Sequence, residues 1–282
     1  IQAGAENIWV IAKTDDKKTN KPLSLAFCDD GHGMPKDMIS VAARFGGTHR
    51  STYENPLERK KMGRFGMGLP ASSISQCEKF TIYSKILDGE WYKISVDVRE
   101  IAEGNIDPDK FENGMPKVSK AELPSWIEDQ ISGTVIVWER LDRINPKTIS
   151  GLKQSYLHQI GIFFWRYIME GLKIDYLGTV VEGIDPLFQT SGLRGHDLTE
   201  EGNHFKAILK EPMIVPFKVE HDGKSKICDV KIRMSFLPRE FARIDLSKRA
   251  VKGNQNFRFQ VMKDHNGIIV SREGRKIAHV TN

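Results

Sequence analysis

Cysteine is scarce in this chain of 282 residues. Cys28, Cys77 and Cys228 are the only three; they lie far apart, with no Cys-x-x-Cys pair and no histidines at ligand spacing beside them. This excludes a zinc site of ordinary spacing and a disulfide framework, and it points to a reduced, cytoplasmic protein. Long hydrophobic runs are lacking as well. The most apolar stretch, "IGIFFWRYIM" from Ile160, contains Arg166 and falls well short of the ~20 residues a membrane-spanning helix needs. It reads as a buried helix, and no membrane partner is expected. A strong charge of one sign is also missing: 42 Lys and Arg stand against 37 Asp and Glu, leaving +5 spread along the chain. That balance permits nucleic-acid contact without indicating it. No repeat, low-complexity tract or signal peptide is visible. The chain opens at Ile1 inside what reads as a helix-to-strand passage, so further residues are expected upstream.

What is present is enough for two domains. "NIWVIAK" and "LSLAFCD" read as neighbouring strands joined by the polar stretch "TDDKKTNKP", and "PKDMISVAARF" as a helix opened by Pro35. Residues 46–67 lose all periodicity and form a polar, glycine-punctuated segment too long for a plain connection. A short helix, "LPASSISQC", leads into "KFTIYSKI" and "EWYKISVDV", antiparallel strands joined by the turn "LDGE". Residues 101–126 are loop-rich and read as an insertion before the buried strand "SGTVIVWERL". The amphipathic segment 149–169 is the expected boundary helix. After it, "LKIDYL", "MIVPFKVE", "CDVKIRMSFL", "FRFQVM" and "GIIVSREGRKI" read as strands of a second domain, the last folded as a hairpin about Glu273 and Gly274.

Four features occur in fixed order: a strand ending in Asp29-x-Gly31-x-Gly33, a long polar loop, Gly63-x-x-Gly66-x-Gly68 leading into a helix, and Ser132-Gly133-Thr134 opening a strand. Glycine steps bring backbone N–H groups close to phosphate oxygens, and a helix start behind them favours an anion. "GRFGMGLPASS" therefore suits a polyphosphate. A carboxylate at Asp29 can accept from an adenine amino group, with Gly33 letting the base approach the backbone and Thr134 adding a hydroxyl contact, direct or through water. "GMGLPA" also fits a dinucleotide fingerprint with Asp88 downstream, but the charged, loop-like residues before it are not the strand that fingerprint requires. Lys60, Lys61 and Arg64 read equally well as a solvated charge run or as phosphate contacts. The segment 163–167 reads as core packing.

The order "DDGHG", "GRFGMG", "SGT" resembles the GHKL ATPases, the superfamily of DNA gyrase B, the ninety-kilodalton heat-shock chaperones, histidine kinases and MutL, and is most similar to MORC-like and bacterial relatives. The resemblance implies an α/β fold: an α+β two-layer sandwich over residues 1–148, then a ribosomal-protein-like transducer domain over residues 149–282. It implies ATP and Mg2+ as cofactors. It makes Asp29 the adenine-reading carboxylate, with Gly31, Gly33, Met34 and Thr134 shaping the base pocket. Gly63, Arg64, Phe65, Gly66, Met67 and Gly68 would wrap the phosphates at the end of a lid spanning residues 45–68. Lys252 or Lys248 would be the transducer lysine that reaches the terminal phosphate. "IQAGAENIWV" matches the stretch after the family's first motif, so the general-base glutamate and the magnesium-binding asparagine would precede Ile1. Asp30 stands where many relatives carry asparagine, and the sequence offers no role for it.

The implied activity is ATP hydrolysis coupled to closure of a homodimer, serving DNA or protein partners in a repair, chromatin or defence assembly. A histidine-kinase-type phosphotransferase and a non-hydrolysing, ATP-sensing scaffold remain as alternatives. The kinase places its dimerisation helix before the ATP domain and needs no domain after it.

Overall fold

The computed structural model describes residues 3–14, 20–47, 66–104, 107, 109–112, 114–127, 130–196, 205–221, 223–249, 251–272 and 274–281. They divide into two compact units. The first takes the described residues up to Leu157 together with Gly171–Val181; the second takes His158–Glu170 and the described residues from Glu182 onward.

In the first unit the chain runs β1 (Asn7–Thr14), β2 (Pro22–Asp29), α1 (Lys36–Ala43), α2 (Gly68–Ile74), β3 (Cys77–Lys85), β4 (Tyr92–Asp97), α3 (Val98–Ala102), β5 (Phe111–Glu112), β6 (Met115–Pro116), β7 (Ser119–Lys120), β8 (Gly133–Leu141), the first part of α4 (Ile149–Met169, whose residues from His158 on belong to the second unit) and β9 (Lys173–Tyr176). Seven of these strands form one sheet in the order β7-β4-β3-β8-β2-β1-β9. All its pairings are antiparallel except β1 with β9, which is parallel. This arrangement excludes the dinucleotide fold, whose sheet is parallel on both sides of its glycine turn. "LKIDYL", expected in the second domain, instead supplies β9, the outer strand of the first sheet. Its Ile174 and Tyr176 are buried, so an edge place in the larger core is what its apolar residues serve.

Alternation along the strands sorts the sheet's two faces. Phe80 and Ile82 of β3, with Ile94 and Val96 of β4, cluster with Ile39 and Ala43 of α1 and with Leu69 and Ile74 of α2. The other face, built on Ala26, Cys28, Val135 and Val137, is covered by Leu123, Trp126 and Ile127. The loop-rich region before β8 thus supplies apolar cover for one face, while the two helices cover the other.

The second unit has its own core, in which Ile162 of α4 meets Ile184, Phe188, Phe241 and Val261. It carries β10 (Ile208–Leu209), β11 (Met213–His221), β12 (Lys224–Ile232), β13 (Ser235–Phe236), α5 (Phe257–Asp264), β14 (Ile268–Arg272) and β15 (Arg275–Val280). Three two-stranded sheets result, β10 with β13, β11 with β12, and β14 with β15. The last is the hairpin expected of "GIIVSREGRKI"; Glu273 at its turn lies outside the described residues. "FRFQVM", expected as a strand from its alternation, is helix α5. Asn256 caps it, its side chain accepting from the Arg258 N–H at 3.0 Å. The alternation misleads because the buried pair is Arg258 and Val261, spaced for a helix face. Arg258 is 1% exposed, with its guanidinium donating to the carbonyls of Gly195 at 2.6 Å, Phe205 at 2.8 Å and Phe241 at 3.2 Å.

Candidate functional site

Antiparallel register places Asp29 of β2 opposite Thr134 of β8, and Thr134 opposite Ser84 of β3. Directly opposed residues point to the same face. Three adjacent strands therefore end in a polar row, Asp29, Thr134 and Ser84, on the face that α1 and α2 cover. The Thr134 and Ser84 hydroxyls are 3.0 Å apart. Ser84 is fully buried and also bonds to the Gly133 carbonyl at 2.9 Å, while the Met34 N–H donates to its Oγ at 2.8 Å. One serine thus ties the turn after β2 to the start of β8.

The Asp29 carboxylate accepts from the Gly31 N–H at 3.0 Å, an Asx-type turn that fixes its aim. Burial pushes its carboxyl above the ordinary aspartate value, against the lowering effect of the Gly31 and Thr134 backbone groups. Its neighbour Cys28, on the opposite face, is pushed up to about 12 by burial and by the Asp29 charge. A partly desolvated carboxylate at the end of a polar row, beside an apolar cluster, is suited to accept from the exocyclic amine of a flat, otherwise apolar ring.

The glycines are of different kinds. Gly33 has φ +68°, and a Cβ there would collide with the Lys85 carbonyl; Gly133 has φ +133°, and its Cβ would strike the Asp29 carbonyl. Both are required by close backbone approach between β2, β3 and β8. At Gly31 a Cβ would sit 2.8 Å from the Ala3 carbonyl oxygen, and the Ser132 hydroxyl donates to the Gly31 carbonyl at 3.0 Å. Gly66 has φ +60° and abuts Gly47, just beyond α1, whereas Gly68 has no atom within 4 Å of where its Cβ would lie. Gly68 opens α2, whose N-cap residue Met67 offers no side-chain cap. The first-turn N–H groups thus have no cap from the N-cap residue's own side chain. The helix is held to the sheet by Ser73, 0% exposed, whose hydroxyl accepts from Trp138 Nε1 at 3.0 Å and donates to the Leu69 carbonyl at 2.8 Å.

Of the residues singled out from sequence, Asp29, Gly31, Gly33, Met34 and Thr134 are together at the ends of β2, β3 and β8, and Met34 packs against the core beneath α1. Gly66, Met67 and Gly68 lie at the start of α2 in the same unit. Gly63, Arg64 and Phe65, and most of the proposed lid, lie outside the described residues. Lys248 and Lys252 are exposed residues of the second unit, and Lys248 pairs with Asp245 at 3.3 Å. Two further residues of the site, Ser84 and Asp30, had no role assigned from sequence. Ser84 follows Phe80 and Ile82 in strand alternation, so a lone polar residue on an apolar face was its only signal. Asp30 accepts at Oδ1 from the N–H groups of Glu6 and Asn7, both at 2.8 Å, and at Oδ2 from Asn7 Nδ2 at 2.6 Å.

A cavity of about 200 Å³ is lined by Lys93, Asp97, Lys110 and Lys117. It lies on the opposite face of the sheet from the polar row and has no share in it. Among the described residues no three His, Cys, Asp or Glu side chains group as metal ligands, and no helix is long and apolar enough to cross a membrane.

Residues 1–134 match the family model described as histidine kinase-, DNA gyrase B-, and HSP90-like ATPase. No curated protein matches the chain. Among solved structures, the ATPase and transducer domains of DNA topoisomerase II from Balamuthia mandrillaris are similar at 15% identity and a TM-score of 0.41, covering 64% of this chain. The chain spans 43% of that neighbour's length.

Proposed function

We propose, from the match of residues 1–134 to the histidine kinase-, DNA gyrase B-, and HSP90-like ATPase model, that this protein binds and hydrolyses ATP to drive closure of a homodimer. The observation that carries the reading is the polar row of Asp29, Thr134 and Ser84, bounded by Gly33 and Gly133, where an added Cβ would collide with neighbouring backbone. In this reading Asp29 accepts from the adenine amino group and the Thr134 hydroxyl makes the second contact. Gly33 admits the flat base against the backbone. The backbone at Gly68, which opens α2 with free space beside it, donates to phosphate oxygens, with residues 45–68 serving as the lid over them.

ATP with Mg2+ supplies the phosphoanhydride bond whose cleavage resets the closed state. The water-activating glutamate and the magnesium-holding asparagine are assigned to residues preceding Ile1. The second unit acts as a transducer, with Lys252 or Lys248 reaching the terminal phosphate. The clients are DNA or protein partners in a repair, chromatin or defence assembly, in the cytoplasm.

Binding of a fluorescent ATP analogue tests the assignment. Asp29→Asn presents an amide N–H2 or a neutral oxygen to the adenine amine, and the loss of a charge-assisted hydrogen bond is worth about 1.5–3 kcal/mol, or roughly 10- to 150-fold in Kd. Equal affinity in the two proteins would remove Asp29 from the adenine role. Phosphate release by the wild-type protein, absent under saturating ATP, would leave a binding scaffold instead of an ATPase.

A further inference from the structure

The unexplained residue of the opening motif is Asp30, and its surroundings assign it work. Its carboxylate receives three short hydrogen bonds, all from Glu6 and Asn7 at the start of β1: two backbone N–H groups at 2.8 Å and the Asn7 side-chain amide at 2.6 Å. The same segment touches the motif twice more. The His32 N–H donates to the Ala3 carbonyl at 2.9 Å, and the Ala3 oxygen lies 2.8 Å from where a Gly31 Cβ would be. Gly31 in turn donates to the Asp29 carboxylate at 3.0 Å. A continuous chain of contacts thus runs from Asp30 through residues 3–7 to the loop that aims Asp29.

We propose that Asp30 is a positioning residue: it clamps residues 3–7 against the Gly31–Gly33 loop and so sets the orientation of the Asp29 carboxylate toward the base. The proposal rests on the adenine reading of Asp29 given above. Asp30 does not touch the base itself. A carboxylate is the group that meets this donor set without rearrangement, because both of its oxygens accept and all three partners donate. Burial alone would raise the Asp30 carboxyl; the Asn7 amide and the backbone N–H groups outweigh it and hold the group below the ordinary aspartate value. The charged form is therefore the one the clamp selects.

The test exploits the pairing with Asn7. Asn7→Asp sets two carboxylates face to face and should weaken binding of a fluorescent ATP analogue about tenfold or more, the scale of one lost charge-assisted hydrogen bond. Asn7→Asp combined with Asp30→Asn exchanges donor and acceptor across the same contact. It should recover affinity to within about threefold of wild type. A residue serving only overall stability would not show this reciprocal rescue in affinity, and melting temperature followed in parallel separates the two effects. Amide exchange at Gly31, His32 and Gly33 is the readout that needs no nucleotide: it should rise in Asn7→Asp and return in the double variant. Unchanged exchange in Asn7→Asp overturns the clamp. Raised exchange with unchanged affinity overturns its coupling to the base. A wild-type protein that does not bind the analogue overturns the adenine reading and the coupling with it, while the exchange result still decides the clamp.

Discussion

At the scale of single residues, the site trades stability for a charge. Asp29 has its folded-state pKa raised by burial above the ordinary value of 3.8, so the fold favours its protonated form relative to the unfolded chain. For a raised carboxyl the favourable contribution is full below the unfolded value and is lost as pH rises through the folded one; at neutral pH the ionised group is a cost. Asp29→Asn removes that cost. Without nucleotide, urea unfolding should find the variant at least as stable as wild type at pH 7, with its advantage shrinking as pH falls toward 4. An advantage that grows on acidification would contradict the sign. Asp29 and Thr134 were legible in the sequence because each sits in a short motif of glycines and polar residues. Asp30 and Ser84 were not: their partners come from other strands, and neither a second acid in a turn nor one serine in an apolar strand has a local signature. Ser84→Ala leaves the Met34 N–H and the Gly133 carbonyl without the buried hydroxyl that joins them. It should cost about 1–3 kcal/mol in unfolding free energy, and a value near zero would mean the turn finds other partners.

At the scale of elements, what matters is how α2 is held. The helix has seven residues, too few to be stable alone, and it carries the Gly66–Gly68 turn at its front. Its hold on the sheet is the apolar packing of Leu69 and Ile74 together with buried Ser73, whose hydroxyl receives the Trp138 indole N–H. Ser73→Ala leaves that N–H unpaired and should destabilise the first unit by about 1–3 kcal/mol. If the turn contacts phosphates, affinity for ATP should fall further than affinity for adenosine, and an equal fall for both would disconnect α2 from the phosphate end. The elements themselves were readable where β-type apolar runs were bounded by turns, as in β2, β3 and β8, and in β8 the alternation survives to the burial pattern. They were misread where burial was unusual. α5 buries an arginine satisfied by backbone carbonyls, which no hydropathy pattern reports, and β9 joins a sheet whose other strands are more than thirty residues away along the chain on one side.

At the scale of the whole molecule, the proposed cycle requires two copies to meet when nucleotide is bound. The formal charge of +5 is small for this length, and at physiological ionic strength, with a screening length of about 8 Å, repulsion between copies acts only at close range. Association is then governed by what ATP adds to the surface or orders upon it, and linkage makes the effect reciprocal: a ligand that favours the dimer is bound more tightly by the dimer. Sedimentation velocity with a non-hydrolysable ATP analogue and Mg2+ should show the mass doubling at saturating ligand, and the apparent affinity for the analogue should rise with protein concentration. Asp29→Asn at the same ligand concentration should remain at the lower mass. A wild-type protein saturated with analogue yet unchanged in mass, with an affinity independent of protein concentration, would leave the nucleotide site standing and remove dimer closure as its output.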